Sequence, residues 1–226
     1  MIELKKVSKM YLPDVAALKD VSFKVEDREF VLIAGKSGAG KTTVLKLILA
    51  REYPSSGRIL WHDKDIAQIK KRELPFYRRK IGIVFQDYKL LPSKTVWENI
   101  AFVLEALDAD DEEIERNIPK VLEIVGLKNK ADKFPNQLSA GESQRAAIAR
   151  ALIHRPEMIL ADEPTGNLDP YNTSEIIKLF LKINEFGTTI ILATHNKELI
   201  KKLKKRTILF KDAKLIRDDE KGGVIL

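Results

Sequence analysis

The stretch "GKSGAGKTT", Gly35 to Thr43, constrains this chain more than any other. It runs glycine, four residues, glycine, lysine and a hydroxyl residue, the pattern of a phosphate-wrapping loop. It closes the short apolar run "FVLIAG" (Phe30 to Gly35) and opens "KTTVLKLILA", whose aliphatic residues recur at helical spacing. Strand, loop, helix is the context such a loop needs, and a glycine-rich turn of unrelated purpose has no reason to sit there. The glycines let backbone N–H groups close around a β-phosphate. Lys41 supplies charge to the β and γ groups, and the Thr42 hydroxyl is a ligand type for Mg2+.

More buried-strand runs follow: "KIGIVF" (Lys80 to Phe85), "MILADE" (Met158 to Glu163), "TTIILATH" (Thr188 to His195) and "RTILF" (Arg206 to Phe210). Helical stretches alternate with them, which predicts a parallel sheet. Near the start, "IELKKV" and "VSFKV" alternate as half-buried antiparallel strands do, so a β layer is expected against the sheet. The tract from about Val96 to His154 reads as mostly helical, punctuated by Gly126 and Pro135, and the final "DDEKGGVIL" as a poorly specified tail.

Composition narrows the chemistry. The chain has no cysteine, which excludes disulfides, thiolate metal sites and cysteine nucleophiles. The start, "MIELKKVSKMY", has no apolar signal region, and no run approaches the roughly eighteen apolar residues that span a bilayer. The length of 226 residues fits one lobed unit. A net charge of +7 favours an anionic neighbour without choosing between a lipid surface and nucleic acid. The basic blocks (Ile69 to Lys80, Lys197 to Arg206) and the acidic "DADDEEIE" (Asp108 to Glu115) read first as solvated helix faces.

Three strand ends carry further polar residues. "MILADE" ends in Asp162 and Glu163; alone, such a pair is more often a helix cap or loop, but in a parallel sheet with a phosphate loop it lies beside the phosphates. Asp162 is then placed to hold Mg2+ and Glu163 to polarise a water. His195 ends "ILATH", in reach of a γ-phosphate on the same sheet edge. Gln86 follows "IGIVF" with an uncharged side chain suited to metal-bound water. A second anion site opens at "LSAGESQRAAIAR" (Leu138 to Arg150), where Ser139 and Gly141 stand at a helix mouth.

The phosphate loop, Gln86, "LSAGESQR", "ILADEPTGNLD" and His195, in that order, resemble the ATP-binding-cassette ATPases across almost the whole chain. The resemblance implies an α/β P-loop NTPase fold with a RecA-like parallel core, an N-terminal antiparallel β layer and an inserted α-helical subdomain. The boundaries expected are a core of residues 1–86 and 157–226 and a helical insertion of residues 87–156. It implies ATP and Mg2+ as cofactors and ATP hydrolysis as the activity, with Lys41, Gln86, Glu163 and His195 catalytic. Gly35, Lys36, Ser37, Gly38, Ala39, Gly40, Lys41, Thr42 and Thr43 would wrap the phosphates, Tyr11 would stack on adenine, and Thr42, Gln86 and Asp162 would hold the metal. Two copies would pack head to tail on ATP binding, so that Ser139, Ala140, Gly141 and Glu142 of one cap the γ-phosphate held by the other. Asp169 would lie in the loop that communicates across this homodimer.

The signature departs from the family's usual Leu-Ser-Gly-Gly by Ala140, at a cost of about 1 kcal/mol if that position needs positive φ and little if it does not. Ser143 stands where glutamine is common. "ADEPTGNLD" resembles the branch containing lipoprotein-releasing, macrolide-efflux and cell-division ATPases, and "FQDYKLLPSKTVWENIAF" (Phe85 to Phe102) most resembles the FtsE-type cell-division members. That implies an FtsX-like integral membrane partner, a peripheral place on the inner face of the cell membrane, and no specific nucleic acid. The partner would dock at Asp87, Tyr88, Leu90 and Leu91, with Leu90 and Leu91 equally readable as core residues. The alternatives are an ATPase for lipoprotein release or efflux, with the same chemistry, and a nucleic-acid-acting cassette that the net charge alone recommends.

Overall fold

The computed structural model describes residues 1–11, 14–220 and 222. Leu12 and Pro13 of the opening stretch, and Lys221 and residues 223–226 of the expected tail, lie outside the described residues.

Strands β1 (Ile2–Tyr11), β2 (Val15–Val25) and β3 (Phe30–Ala34) lead through the phosphate loop to helix α1 (Lys41–Ile48). A short excursion follows through β4 (Ser56–Trp61), β5 (Lys64–Asp65) and helix α2 (Leu74–Arg78), back to β6 (Ile81–Phe85). The helical tract comprises α3 (Val96–Glu105), α4 (Asp111–Ile124) and α5 (Ala140–Leu152). The chain then alternates through β7 (Met158–Asp162), α6 (Pro170–Glu185), β8 (Thr189–Thr194), α7 (Lys197–Leu203), β9 (Arg206–Lys211) and β10 (Lys214–Asp219).

The six-stranded sheet has the order β10-β9-β3-β8-β7-β6. From β9 to β6 it is parallel, as expected, while β10 runs antiparallel to β9. All five residues of β3 are buried, so the strand is apolar on both faces, as a central strand of a covered parallel sheet must be. The antiparallel layer has the order β2-β1-β4-β5. Its apolar residues, Val7, Leu18 and Val21 among them, share a core with α1 on one sheet face. Ile100, Ile118 and Ile148 of the three-helix tract join Phe180 of α6 in the core on the other. One expectation is corrected: Asp218 and Asp219, placed in a loose tail by sequence, pair with Ile208 and Thr207 in a β-hairpin.

The charge blocks find local explanations. In the acidic block Asp110 caps α4 by accepting from the Glu113 N–H at 2.7 Å, and Asp111, Glu112 and Glu113 fill the first helical turn, where the helix dipole favours them. In the basic stretch before β6, Arg78 donates to the Ala50 carbonyl at 2.8 Å, just beyond the end of α1.

Candidate active site

Register decides what meets at the carboxyl edge of the sheet. Ala34 pairs with Thr194, and Asp162 pairs with both Ala193 and Phe85. The next residues along these strands are Gly35, His195, Glu163 and Gln86, so four separate sequence features arrive at one edge. Gln86 and Glu163 border a cleft of about 700 Å3 that Tyr11, Ser37, Lys41 and Asp162 also line, while Gly35 and His195 line a neighbouring pocket that shares Ser37 and Gly38 with it.

The phosphate loop turns into α1 through Gly40, whose φ of +105° suits glycine; a Cβ there would lie 2.5 Å from the Ala17 carbonyl oxygen. Lys41 is 6% exposed, and its ammonium donates to the carbonyls of Gly35 at 2.8 Å and Lys36 at 3.1 Å. It also pairs with Glu163 Oε1 at 3.3 Å. The same oxygen lies 2.9 Å from His195 Nδ1, and the His195 N–H donates to Glu163 Oε2 at 3.3 Å. One carboxylate thus joins the loop lysine to the histidine of β8's end. Glu163 is held at φ +47°, in the left-handed region, by donating its N–H to Ala193. Such a conformation in a non-glycine residue is what functional sites store.

Asp162 fits a hard cation. One of its carboxylate oxygens is buried with no hydrogen-bond partner, while the Thr42 hydroxyl bonds the carboxylate. A carboxylate and a hydroxyl are the oxygen donors Mg2+ takes beside nucleotide phosphates. Burial, reinforced by the charge of Glu163, pushes the Asp162 carboxyl above its ordinary range; the Thr42 bond and Lys41 oppose this. A carboxyl raised in the folded state binds its proton more tightly than in the unfolded chain, so stability falls as pH rises through the window above about 4. Asp162→Asn is therefore expected to stabilise the nucleotide-free protein at neutral pH. Solvent screens the effect in part, and it should show as a rise in Tm. The gain should vanish as pH falls through about 4, where both side chains are neutral. Added MgATP should raise the wild-type Tm strongly and the variant's weakly. Thermal melts across pH, with and without MgATP, check both signs.

Gln86 donates to Asn167 Oδ1 at 3.3 Å, and Asn167 returns a bond to the Gln86 carbonyl at 3.2 Å. Tyr11 ends β1 with its hydroxyl on Glu52 Oε2 at 2.5 Å. Burial and that bond raise the tyrosine's pKa, and the bond lowers that of Glu52, so the phenol stays a donor. Sequence reasoning missed Asn167 and Glu52. Asn167 lies within "ADEPTGNLD" but carries no chemistry of its own there, and Glu52 carries no local signal at all.

The signature residues lie elsewhere on the chain. Ser139 caps α5 by accepting from the Glu142 N–H at 3.2 Å, and Glu142 accepts from the Ser139 N–H at 2.8 Å. That backbone bond and Lys130, at 3.0 Å, hold the Glu142 carboxyl low. Ser139 and Ala140 are exposed, and neither borders the cleft of their own chain. Ala140 is the first helical residue and is not at positive φ, so the alanine costs little. Gly141 is buried, and a Cβ on it would lie 2.2 Å from Asn172 Oδ1. The Asn172 side-chain amide donates to Asp169 Oδ2 at 2.5 Å and its N–H to Asp169 Oδ1 at 2.9 Å; these two bonds, the first above all, lower the pKa of Asp169, the cap of α6. The signature helix and the Asp169 loop therefore touch within one chain.

The parallel sheet, the phosphate loop and the capped signature helix are those of an ATP-binding cassette, and the chain belongs to the ABC transporter family, whose model matches residues 18–166. It is an ATPase of that class. Its relatives include the cell division ATP-binding protein FtsE of Bacillus subtilis, 49% identical over 98% of this chain and 97% of that one. FtsE of Escherichia coli (strain K12) is 45% identical, covering 95% of this chain and 97% of its own. Among solved structures, the ATP-binding cassette MJ0796, a dimer in a post-hydrolysis state bound to ADP and Pi, has a TM-score of 0.88 and 35% identity, over 99% of this chain and 100% of that one. The cbiO1 protein of Clostridium perfringens, part of the ABC transporter complex cbiONQ, has a TM-score of 0.90 and 31% identity, over 97% and 88%.

Proposed function

We propose that two copies of this chain close head to tail around two molecules of ATP, and that the closing and opening drive an FtsX-like integral membrane protein in cell division. The observation that carries the head-to-tail reading is the exposed mouth of α5. Its Ser139 and Ala140 face solvent, outside their own cleft; the Ser139 and Glu142 N–H groups serve the capping box, which leaves the other first-turn N–H groups and the helix dipole to favour a phosphate held by another copy. The dimeric relative bound to ADP and Pi supports it. The FtsE names of the relatives support the cell-division role.

In this reading residues 35–43 wrap the phosphates, Tyr11 lies against adenine, and Asp169 senses the partner copy. Thr42, Asp162 and Gln86 hold Mg2+, which when bound would neutralise phosphate charge. Glu163 orients and deprotonates the attacking water, while His195 keeps that carboxylate in place and reaches toward the γ-phosphate. Residues 87–156 form the arm that swings the signature, against a core of residues 1–86 and 157–226.

Among the described residues no helix is long and apolar enough to cross a membrane, so attachment falls to a docking surface. Asp87 is exposed and paired with Lys89 at 2.6 Å, and Tyr88 is half-buried. Leu90 packs against the helical core, so Asp87 and Tyr88 are the better anchors. Asp87→Lys combined with Tyr88→Ala is expected to leave the Tm and ATP affinity of the isolated protein near wild type. Recruitment to membranes containing an FtsX-like protein should fall at least tenfold in a flotation assay. Undiminished recruitment would move the docking site elsewhere.

A further inference from the structure

The turn after Gln86 is held in an unfavourable backbone conformation by a side chain from the signature helix. Tyr88 and Lys89 have φ of +59° and +50°, two consecutive non-glycine residues in the left-handed region. Left-handed residues ordinarily occur singly, and neither tyrosine nor lysine is suited to the region. The Arg150 guanidinium donates to both of their carbonyls, Nη1 to Lys89 at 2.6 Å and Nη2 to Tyr88 at 2.9 Å. A planar fork can hold two adjacent carbonyls at once, where an ammonium, a single point donor, is suited to one. Burial lowers the Arg150 pKa, and a half-buried guanidinium needs such acceptors.

Within the turn the Tyr88 N–H donates to the Phe85 carbonyl at 3.3 Å, the Lys89 N–H to the Asp87 carbonyl at 2.5 Å, and the Lys89 ammonium pairs with Asp87; the bonds that flank the turn run to different bodies. Upstream, Gln86 is tied to Asn167, in the loop after β7. Downstream, the buried Asn99 of α3 accepts from the Leu91 N–H at 2.7 Å and donates to the carbonyls of Leu91, Lys94 and Thr95. The turn lies between these anchors. Arg150 lies in the penultimate position but one of α5, whose other end is Ser139.

We propose that Arg150 is a positioning residue that fixes the Tyr88–Lys89 turn in its left-handed form, so that α5 and the glutamine segment move as one body and Gln86 is presented correctly to the nucleotide cleft. Displacement of α5 at its Ser139 end then reaches Gln86 and the surface at Asp87 and Tyr88 through this guanidinium. The link from α5 to the docking surface rests on the head-to-tail, membrane-driving reading; the hold on the turn does not.

The test compares Arg150→Ala and Arg150→Lys with wild type in the full chain, by amide hydrogen exchange and by steady-state MgATP hydrolysis. Arg150→Ala is expected to speed exchange across residues 86–91 at least tenfold while α1 and β7 stay unchanged. It should lower kcat at least fivefold with KM within twofold, because the phosphate loop and Tyr11 are untouched. Arg150→Lys, which keeps charge and folding but loses the fork, should fall between. Lys89→Gly, which accepts the left-handed conformation without help, should restore most of the kcat lost in Arg150→Ala. Unchanged exchange or kcat in both Arg150 variants would overturn the proposal. So would a loss that Lys89→Gly leaves unrelieved, because Arg150 would then be only a packing residue. Failure of the membrane reading registers separately, in the Asp87 and Tyr88 recruitment assay.

Discussion

Glu163→Gln should bind ATP as wild type does and hydrolyse it about 10²–10⁴ times more slowly, the usual contribution of a positioned general base. The amide keeps the side chain's size and one oxygen for the His195 contact, now 2.9 Å from Nδ1, but has no basicity to draw a proton from water. It also loses the ion pair with Lys41. Because the strained φ of +47° belongs to the backbone and its bond to Ala193, the substitution leaves the strand end in place. Closed, ATP-bound dimers should therefore accumulate, visible as a doubling of mass by light scattering in MgATP. Single-turnover hydrolysis within threefold of wild type would remove Glu163 from the chemistry.

A larger effect on binding is expected from Lys41→Ala. The ammonium is buried and already coordinated by the two loop carbonyls and Glu163, so little rearrangement separates it from a phosphate. Removing one partner of a buried charged contact costs about 3 kcal/mol, on the order of a hundredfold in Kd. Titration calorimetry with MgATP measures this directly, and an affinity within fivefold of wild type would contradict it. The same variant probes composite assembly. Mixed with Ser139→Arg chains, it should yield heterodimers with one site intact, because loop and signature come from opposite copies.

The core of this site was legible because its parts are contiguous or sit at strand ends. "GKSGAGKTT" announces itself, and Asp162, Glu163 and His195 are marked by the apolar runs they terminate. What sequence could not reveal depends on pairs distant along the chain. Tyr11 finds Glu52 forty-one residues on, and Gln86 finds Asn167 eighty-one residues on. Arg150 reaches back sixty-two residues to Tyr88. Nothing local marks these residues as partners, and the left-handed turns at Glu163, Tyr88 and Lys89 use residue types that give no warning of positive φ. Strands β4 and β10 also escaped notice. "SGRILW" has a glycine and an arginine near its start, and "KLIRDD" is mostly exposed, so neither carries a clean two-residue alternation. Ala140 gives the reverse lesson: an apparent departure at a glycine position is harmless once the residue is seen to begin a helix.

The central claim is that each cleft is completed by another copy's Ser139. The chain has no native cysteine, so single cysteines report cleanly. Two differently tagged preparations, Ser37→Cys and Ser139→Cys, each in the Glu163→Gln background, would be mixed with MgATP under mild oxidation. The head-to-tail arrangement predicts a disulfide joining one chain of each kind, formed with ATP and absent without it. Chains that bind ATP and dimerise yet never join Ser37→Cys to Ser139→Cys would contradict the composite site.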